Sequence, residues 1–333
     1  MLSNTTSDKE ALKMTFTSLL RPKTKSPKPS VEQLTPLSQP IVVFDEDNRR
    51  HRADVPYLLP KDRQEAKRLD YQHYLFRRVL QGNCFAPVHD LLQSGATVLD
   101  VGCGTGRWGY EIATKYPQAQ VINFDLEPVP CTGSIPLNAQ FVQGNLFHGL
   151  PFPQQHFQYV HQRLLVAAIP LMNWPWVIAE LKRITTLNGW IELVEMGNSF
   201  QSAGPATEQF LSWWMAISAS GGIDASTVSE LDVLLTQANL TPVQKKVITL
   251  PVGAWGGSLG KMLAQNLLAG WPSMRPLTHE LLGIAPNHFD TVIEQLSDEW
   301  NAFHTTYDMY FYCVQVAEPA LHTAYDRSER MVP

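Results

Sequence analysis

The sequence predicts an α/β fold with one doubly wound, mostly parallel sheet. From residue 97 onward, short apolar runs alternate with helical patterns, which is typical of repeated strand–helix–strand units. The first apolar run leads straight into a glycine-rich turn at residues 102–106. Because crossover connections between parallel strands are nearly always right-handed, we expect the strands to join in a single sheet with helices on both faces.

Composition limits the class of protein before any motif is considered. Hydrophobic residues make up 44% of the 333 residues and charged residues 17%, so the chain can bury a core. The 26 basic and 31 acidic residues give a net charge of -5, which disfavours nucleic acid or a membrane surface as a partner. The four cysteines are scattered and form no C-x-x-C pair, so we expect no metal site and a reducing, cytoplasmic location.

The predicted elements divide the chain into five segments. Residues 1–45 are expected to be a flexible tail, and residues 46–95 a helical cap whose helix starts near Pro60 and Asp62. Residues 96–196 form the core, 197–320 add helical lid insertions and the last two strands, and 321–333 form a second tail. The predicted core strands are 97–101, 120–125, 140–143, 157–161 and 190–195, with helices at 106–116 and 175–187. The later segment is predicted to hold helices at 205–220, 226–238, 257–269 and 286–303 and strands near 243–250 and 307–317.

The glycine-rich turn is the most informative part of the sequence. A buried strand ends at Val101, and residues 102–109 follow with the sequence GCGTGRWG. Glycines permit a sharp turn and a close approach of the backbone to a ligand, and a helix start favours an anionic group. Asp125 ends the next predicted strand, where a carboxylate suits the two hydroxyls of a ribose. The turn therefore predicts a nucleoside-containing ligand at the carboxyl ends of the strands.

The sequence of this turn is compatible with two cofactors. Residues 104–109 match G-x-G-x-x-G, with Asp125 near the expected spacing, which is typical of nicotinamide-dependent oxidoreductases. Counted from the end of the strand, however, the pattern is G-x-G-x-G from Gly102, and Arg107 stands where the third glycine should be. Asp100, inside the strand two residues before Gly102, also departs from the dinucleotide pattern.

Residues 98–106, VLDVGCGTG, followed by the acidic end of the second strand, resemble the class I S-adenosylmethionine-dependent methyltransferases. Three further blocks resemble the LaeA-like, or TAM-domain, subgroup: LDYQHYLF at 69–76, FQYVHQR at 157–163 and GWIELVE at 189–195. The resemblance covers roughly residues 55 to 317. It implies a Rossmann-like sheet of seven strands whose last strand inserts antiparallel beside the strand near 243–250. It also implies S-adenosylmethionine as cofactor and S-adenosylhomocysteine as product.

The resemblance also implies residue roles. The strand end and the glycine turn would hold the methionine end of the cofactor, Asp125 its ribose and Leu126 one face of its adenine. Asn145 falls where many members place an acidic residue for the adenine amino group; it lacks the charge, but its side-chain oxygen can accept a hydrogen bond. The predicted cofactor-binding residues are Asp100, Gly102, Cys103, Gly104, Asp125, Leu126, Gly144, Asn145, Leu146 and Gln162.

Two residues are candidates for a catalytic base. Alignment alone supplies on the order of 7–11 kcal/mol to a reaction of this kind, while a hydroxyl or protonated amine acceptor also needs a base. Glu195, predicted to end the fifth strand, is the first candidate. His161, predicted to end the fourth strand, is the second because histidine exchanges protons near neutral pH. A purely structural hydrogen bond is the alternative role for each.

Aromatic residues predict where the acceptor binds. The lid insertions and the cap helix supply tryptophans and tyrosines that can cover an apolar pocket and exclude water. The predicted substrate-pocket residues are Tyr71, His73, Arg163, Trp213, Trp214 and Trp255. We expect a small, neutral or weakly polar organic acceptor in specialised metabolism, with oxygen slightly preferred by analogy. The alternatives are a LaeA-like regulator that binds the cofactor and acts through protein partners, and a nicotinamide-dependent oxidoreductase.

Overall fold

The structure, a computed structural model, describes residues 41–45, 47–52, 54–55, 57–129 and 134–317. The predicted tail up to residue 40, the predicted tail at 321–333 and Cys131 lie outside the described residues. In the described part of the chain, a seven-stranded sheet lies at the centre, and a two-stranded hairpin precedes it.

The seven-stranded sheet confirms the predicted fold class. The hairpin strands are β1 (Val42–Phe44) and β2 (Arg50–Arg52), and the sheet strands are β3 (Thr97–Val101), β4 (Gln120–Asp125), β5 (Ala139–Gln143), β6 (Phe157–Arg163), β7 (Thr185–Gln201), β8 (Val243–Pro251) and β9 (Thr306–Gln315). The strand order is β5-β4-β3-β6-β7-β9-β8. The first five strands in this order, β5, β4, β3, β6 and β7, pair in parallel, whereas β9 runs antiparallel to both β7 and β8. The last strand therefore inserts where the resemblance implied.

Helices cover both faces and one end of the sheet. They are α1 (Arg63–Leu80), α2 (His89–Gln93), α3 (Arg107–Lys115), α4 (Trp174–Ile184), α5 (Pro205–Ser220), α6 (Leu231–Gln237), α7 (Gly257–Gly270), α8 (Arg275–Leu282) and α9 (Pro286–Phe303). On β3, Leu99 belongs to a core with Ile178 of α4, while Val98 belongs to a core with Ile112 of α3. Because side chains alternate along a strand, both faces of the sheet are buried, and ligands meet it at the carboxyl ends of the strands.

Several predicted boundaries are wrong. Strand β6 continues to Arg163 and β7 continues to Gln201, so neither His161 nor Glu195 ends its strand. The extension of β7 follows from antiparallel pairing with β9, which reaches Gln201. Helix α4 ends at Ile184 because the next residues already belong to β7, and the predicted helix at 226–238 starts as a 3₁₀ turn before α6. Helix α8 was not predicted.

The hairpin shows that the predicted tail of residues 1–45 is too long. Arg50 donates to both carboxylate oxygens of Glu127 at 2.8 and 2.9 Å, and Arg52 lies 3.3 Å from the same carboxylate. Glu127 follows the end of β4 by two residues. At the start of α1, the Asp62 side chain accepts a hydrogen bond from the Glu65 N–H, which caps the helix as predicted. The hairpin is therefore fastened beside the carboxyl end of β4.

Candidate functional site

One cavity of about 310 Å³ lies at the carboxyl ends of the central strands. Its volume is within the range of small-molecule pockets, roughly 300–1,000 Å³. One side, here the loop half, consists of Asp100, Gly102–Gly104, Asp125, Leu126 and Gly144–Leu146. The other side, here the helix half, consists of Arg68, Phe210, Trp214, Asn266, Trp271 and Tyr307. The cavity thus brings together all the predicted cofactor residues except Gln162.

The glycine turn is held against β4 by its own backbone. Gly102 and Cys103 both donate to the Phe124 carbonyl, at 2.8 and 3.1 Å, and the Gly104 N–H donates to Asp125 Oδ2 at 2.8 Å. Gly102 has φ +69°, and a Cβ there would lie 2.7 Å from a methyl carbon of Leu165. Only glycine adopts this conformation without strain, so the turn presents backbone rather than side chains to the cavity.

Asp125 ends β4 with both carboxylate oxygens oriented by the protein. One oxygen accepts from the Gly104 N–H, the other accepts from the Leu126 N–H at 2.7 Å, and Lys61 Nζ lies 3.4 Å away. A carboxylate offers about four lone-pair sites, so Asp125 retains capacity for ligand hydroxyls. Lys61 also lines the cavity, which the sequence patterns did not indicate.

The polar end of the next strand lies at the same edge of the cavity. Asn145 follows β5, and its side-chain oxygen accepts from the Phe147 N–H at 2.9 Å. The oxygen predicted to contact the adenine therefore already accepts one hydrogen bond, and its second lone pair remains for a ligand. A Cβ on Gly144 would lie 2.4 Å from the Phe124 ring, so this position admits glycine alone without a shift of that ring.

His161 does not line the cavity. Its ring is buried within β6, with Nδ1 2.8 Å from Asp100 Oδ1 and the ring stacked on Trp108 at a centroid distance of 3.8 Å. The structure therefore places this predicted base behind Asp100, where it orients a carboxylate that does line the cavity. Gln162 points to the opposite side of β6, is fully buried and also lies away from the cavity wall.

Glu195 does line the cavity, and it also holds the segment after β6. Its carboxylate oxygens accept from the Leu165 N–H at 2.9 Å and the Val166 N–H at 3.2 Å. Complete burial raises the pKa of Glu195 to about 8, although these two N–H donors and the charge of Arg163 oppose the shift. A carboxyl group with such a pKa exchanges its proton close to neutral pH.

The helix half is mostly aromatic, and Arg68 and Asn266 add a polar pair to it. Phe210 stacks on Trp271 at a centroid distance of 4.1 Å, and Tyr307 stacks on Phe200. Arg68 is buried and bonds Glu65 through two nitrogens, while its third nitrogen donates to the Asn266 amide oxygen at 3.0 Å. This neutralised pair leaves the helix half without excess charge.

The aromatic residues predicted for the acceptor pocket lie in different places in the structure. Trp214 lines the cavity. Trp213 packs instead against Phe289 in the core, and Trp255 is 39% exposed and stacks on His304. The Tyr71 hydroxyl donates to Gln265 on the surface side of α1. His73 and Arg163 both line the cavity.

Comparison with known proteins identifies the family. Residues 49–245 match the profile of a family described as a methyltransferase domain. The methyltransferase pytC of Aspergillus terreus is 24% identical over 274 residues, which cover 78% of this chain and 82% of pytC. The secondary metabolism regulator laeA of Aspergillus flavus is 28% identical over 241 residues, covering 68% of this chain and 63% of laeA. The N-methyltransferase verN of Clonostachys rogersoniana is 28% identical over 163 residues, covering 48% of this chain and 56% of verN.

The chain belongs to the methyltransferase-domain family, because the match spans more than half of its length. It is a class I S-adenosylmethionine-dependent methyltransferase with LaeA-like relatives, as the resemblance implied. The nicotinamide alternative is therefore wrong. Its G-x-G-x-x-G match begins at Gly104, within the turn, whereas the backbone bonds that shape the turn start at Gly102.

None of the helices in the described residues is long and apolar enough to span a membrane. Within the same residues, no cluster of three or more His, Cys, Asp or Glu side chains has an arrangement suited to a metal ion.

Proposed function

We propose that this enzyme methylates a small organic molecule of specialised metabolism that binds in the helix half of the cavity. The proposal rests on one observation above all: a single cavity joins the glycine turn to an aromatic wall with no excess charge. A cavity of about 310 Å³ suits a small molecule rather than a chain segment. The similarity to pytC, a methyltransferase, and to verN, an N-methyltransferase, supports the same class of reaction.

The loop half fits the cofactor in shape and chemistry. The residues that would hold it are the glycine turn and Asp100 at the methionine end, Asp125 at the ribose, and Leu126 with Asn145 at the adenine. Gly102 and Gly144 let Leu165 and the Phe124 ring pack directly against the backbone of the turns, where a Cβ would clash with them. When bound, S-adenosylmethionine supplies an electrophilic methyl group on a positively charged sulfur. His161 keeps the Asp100 carboxylate oriented for this half.

Glu195 is the base of the proposed reaction. It lines the cavity and has a pKa of about 8, so its ionised form can take the proton of an acceptor hydroxyl near neutral pH. Oxygen is the preferred acceptor atom because a hydroxyl needs such a base when its proton leaves. The aromatic wall of the helix half orients the acceptor and excludes water.

The proposal is tested by turnover with a panel of small acceptors. Full-length protein is incubated with S-adenosylmethionine and with matched phenols, aliphatic alcohols, amines and carboxylic acids, and products are detected by mass as the gain of one CH₂. We expect turnover with hydroxylated aromatic compounds. Turnover limited to amines would overturn the preference for oxygen, and Glu195→Gln serves as the base-deficient comparison.

A second candidate function rests on the similarity to laeA, a regulator of secondary metabolism. In this case the chain would bind the cofactor and act through a protein partner. S-adenosylhomocysteine binding with a stable, cofactor-dependent protein partner and no turnover across the panel would favour the regulator. Turnover of any small acceptor at rates typical of enzymes, on the order of 1 s⁻¹ or more, would favour the methyltransferase of metabolism.

A further inference from the structure

Arg163 is a cation on the cavity wall without a carboxylate partner. Arg163 lines the cavity, and within the described part of the chain no Asp or Glu oxygen lies within 4.0 Å of its guanidinium nitrogens. Arg68, in the helix half of the cavity, is in contrast bonded to Glu65. Burial lowers the pKa of Arg163, while the charges of Asp100, Glu192, Glu111 and Glu195 oppose that shift from beyond 4.0 Å. No carboxylate of the described residues pairs directly with the guanidinium, so the cavity is the side from which a direct anionic partner can come.

The guanidinium is held in one orientation by residues of α1. Arg163 Nη2 lies 3.3 Å from His73 Nδ1, and the guanidinium carbon lies 5.3 Å from the centre of the Phe76 ring. Burial and the charge of Arg163 lower the pKa of His73 to about 4, so the ring is neutral and its Nδ1 can accept. His73 Nε2 lies 3.1 Å from Glu111 Oε2, although the two are not aligned for a hydrogen bond. The remaining nitrogens of Arg163 are available to a ligand.

The register of the sheet places Arg163 beside the glycine turn. Val101 pairs with Gln162, so Arg163 follows alongside Gly102, the first residue of the turn. Asp100 pairs with His161 on the same two strands and also lines the cavity. A carboxylate and a guanidinium therefore stand on neighbouring strands at the entrance to the loop half. This is the pair of charges that recognises the ammonium and carboxylate of an α-amino acid.

We propose that Arg163, positioned by His73, binds the α-carboxylate of the methionine part of S-adenosylmethionine, opposite Asp100. The assignment deepens the proposed function, since it moves both residues from the predicted acceptor pocket to the cofactor. A planar guanidinium binds a carboxylate through two parallel hydrogen bonds, which a single ammonium cannot do. A carboxylate carried by the acceptor has the same chemistry, and the test separates the two sources.

The test is calorimetric titration of the full chain with two ligands that differ only in the carboxylate. S-adenosylhomocysteine has the group, and S-adenosyl-3-thiopropylamine lacks it but keeps the amine. Arg163→Met should weaken the binding of S-adenosylhomocysteine about 10- to 100-fold, because charged hydrogen bonds are lost. It should weaken the binding of S-adenosyl-3-thiopropylamine less than about threefold. The affinity of Arg163→Lys for S-adenosylhomocysteine should lie between those of wild type and Arg163→Met. Arg78→Met, at an exposed position on α1, is the matched control and should bind both ligands like wild type.

His73 is tested as a positioning residue by rescue. His73→Leu removes the acceptor for Arg163 and should weaken S-adenosylhomocysteine selectively. His73→Asn places an amide oxygen near the position of Nδ1 and should restore most of the affinity. A merely structural role would weaken both ligands in both variants, and melting temperatures of all variants show whether each is folded.

Two results would overturn the assignment. An equal loss of affinity for the two ligands in Arg163→Met would show that Arg163 does not recognise the carboxylate. Unchanged S-adenosylhomocysteine binding, with a raised KM for a carboxylate-bearing acceptor, would assign Arg163 to the acceptor instead. Because the titration contains no acceptor, its outcome does not depend on whether the proposed acceptor class is correct.

Discussion

The loop half and the helix half of the cavity are built in different ways. The loop half presents the carboxylates of Asp100 in β3 and Asp125 at the end of β4, together with backbone atoms of the turns that follow β3 and β5. The helix half presents large side chains from α1, α5 and α7, the turn at Trp271–Met274 and β9, which lie as far apart in sequence as Arg68 and Tyr307. A surface built from backbone atoms keeps one shape and so suits one ligand, whereas a surface built from side chains changes its shape with each substitution. The difference teaches that one half can keep a common cofactor while the other varies its acceptor.

The largest expected effect is in the loop half, at Gly102. Gly102→Val should weaken S-adenosylhomocysteine about 100-fold or more, because a branched side chain meets Leu165 and cannot adopt φ +69° without strain of about 1–3 kcal/mol. Calorimetric titration measures the change. Gly82→Val is the matched control, since a Cβ at Gly82 meets nothing within 4 Å. Equal affinities for the two variants would show that the turn does not meet the cofactor.

The next effect separates chemistry from binding at Glu195. Glu195→Gln should lower turnover about 100-fold, because general bases contribute typically 10²–10⁴-fold, while leaving S-adenosylhomocysteine affinity unchanged. The glutamine keeps an acceptor for the Leu165 N–H and loses only the weaker, 3.2 Å bond from the Val166 N–H, so we expect the segment after β6 to stay in place. Turnover equal to wild type at every pH would remove Glu195 from the role of base.

The sequence was sufficient for the loop half for a physical reason. A turn between a strand and a helix depends on its own glycines and on the carboxylate that ends the next strand, so contiguous residues specify it. His161 shows the limit of this reasoning, because the sequence allowed a histidine near the end of β6 to face either the cavity or the core. Only the register, which pairs it with Asp100, and the stacking on Trp108 place it behind the wall.

The helix half was not predictable because its residues meet only through tertiary packing. Trp213 and Trp214 are neighbours in sequence, yet one packs in the core and the other lines the cavity. Arg68 and Asn266, bonded at 3.0 Å, are 198 residues apart, and no local pattern joins them. The hairpin strand at Val42–Phe44 was missed for the same reason, since the bonds that fasten its partner strand reach Glu127.

A smaller effect is the pH dependence that Glu195 should impose. Below its pKa of about 8 the carboxyl is protonated and cannot act as a base. We therefore expect kcat/KM to fall about tenfold for each pH unit below that value and to level off above it. The profile of Glu195→Gln should lack this slope. A wild-type profile that is flat between pH 6 and 9 would contradict the assignment.

The most direct test of the two-half cavity compares Asp125→Ala with Trp214→Ala in one titration series with S-adenosylhomocysteine. Asp125→Ala should weaken binding by about 1–3 kcal/mol, because ligand hydroxyls lose a charged acceptor. Trp214→Ala should leave the affinity within about twofold of wild type while raising the KM of the acceptor. Loss of S-adenosylhomocysteine binding in Trp214→Ala with full binding in Asp125→Ala would contradict the division of the cavity into a cofactor half and an acceptor half.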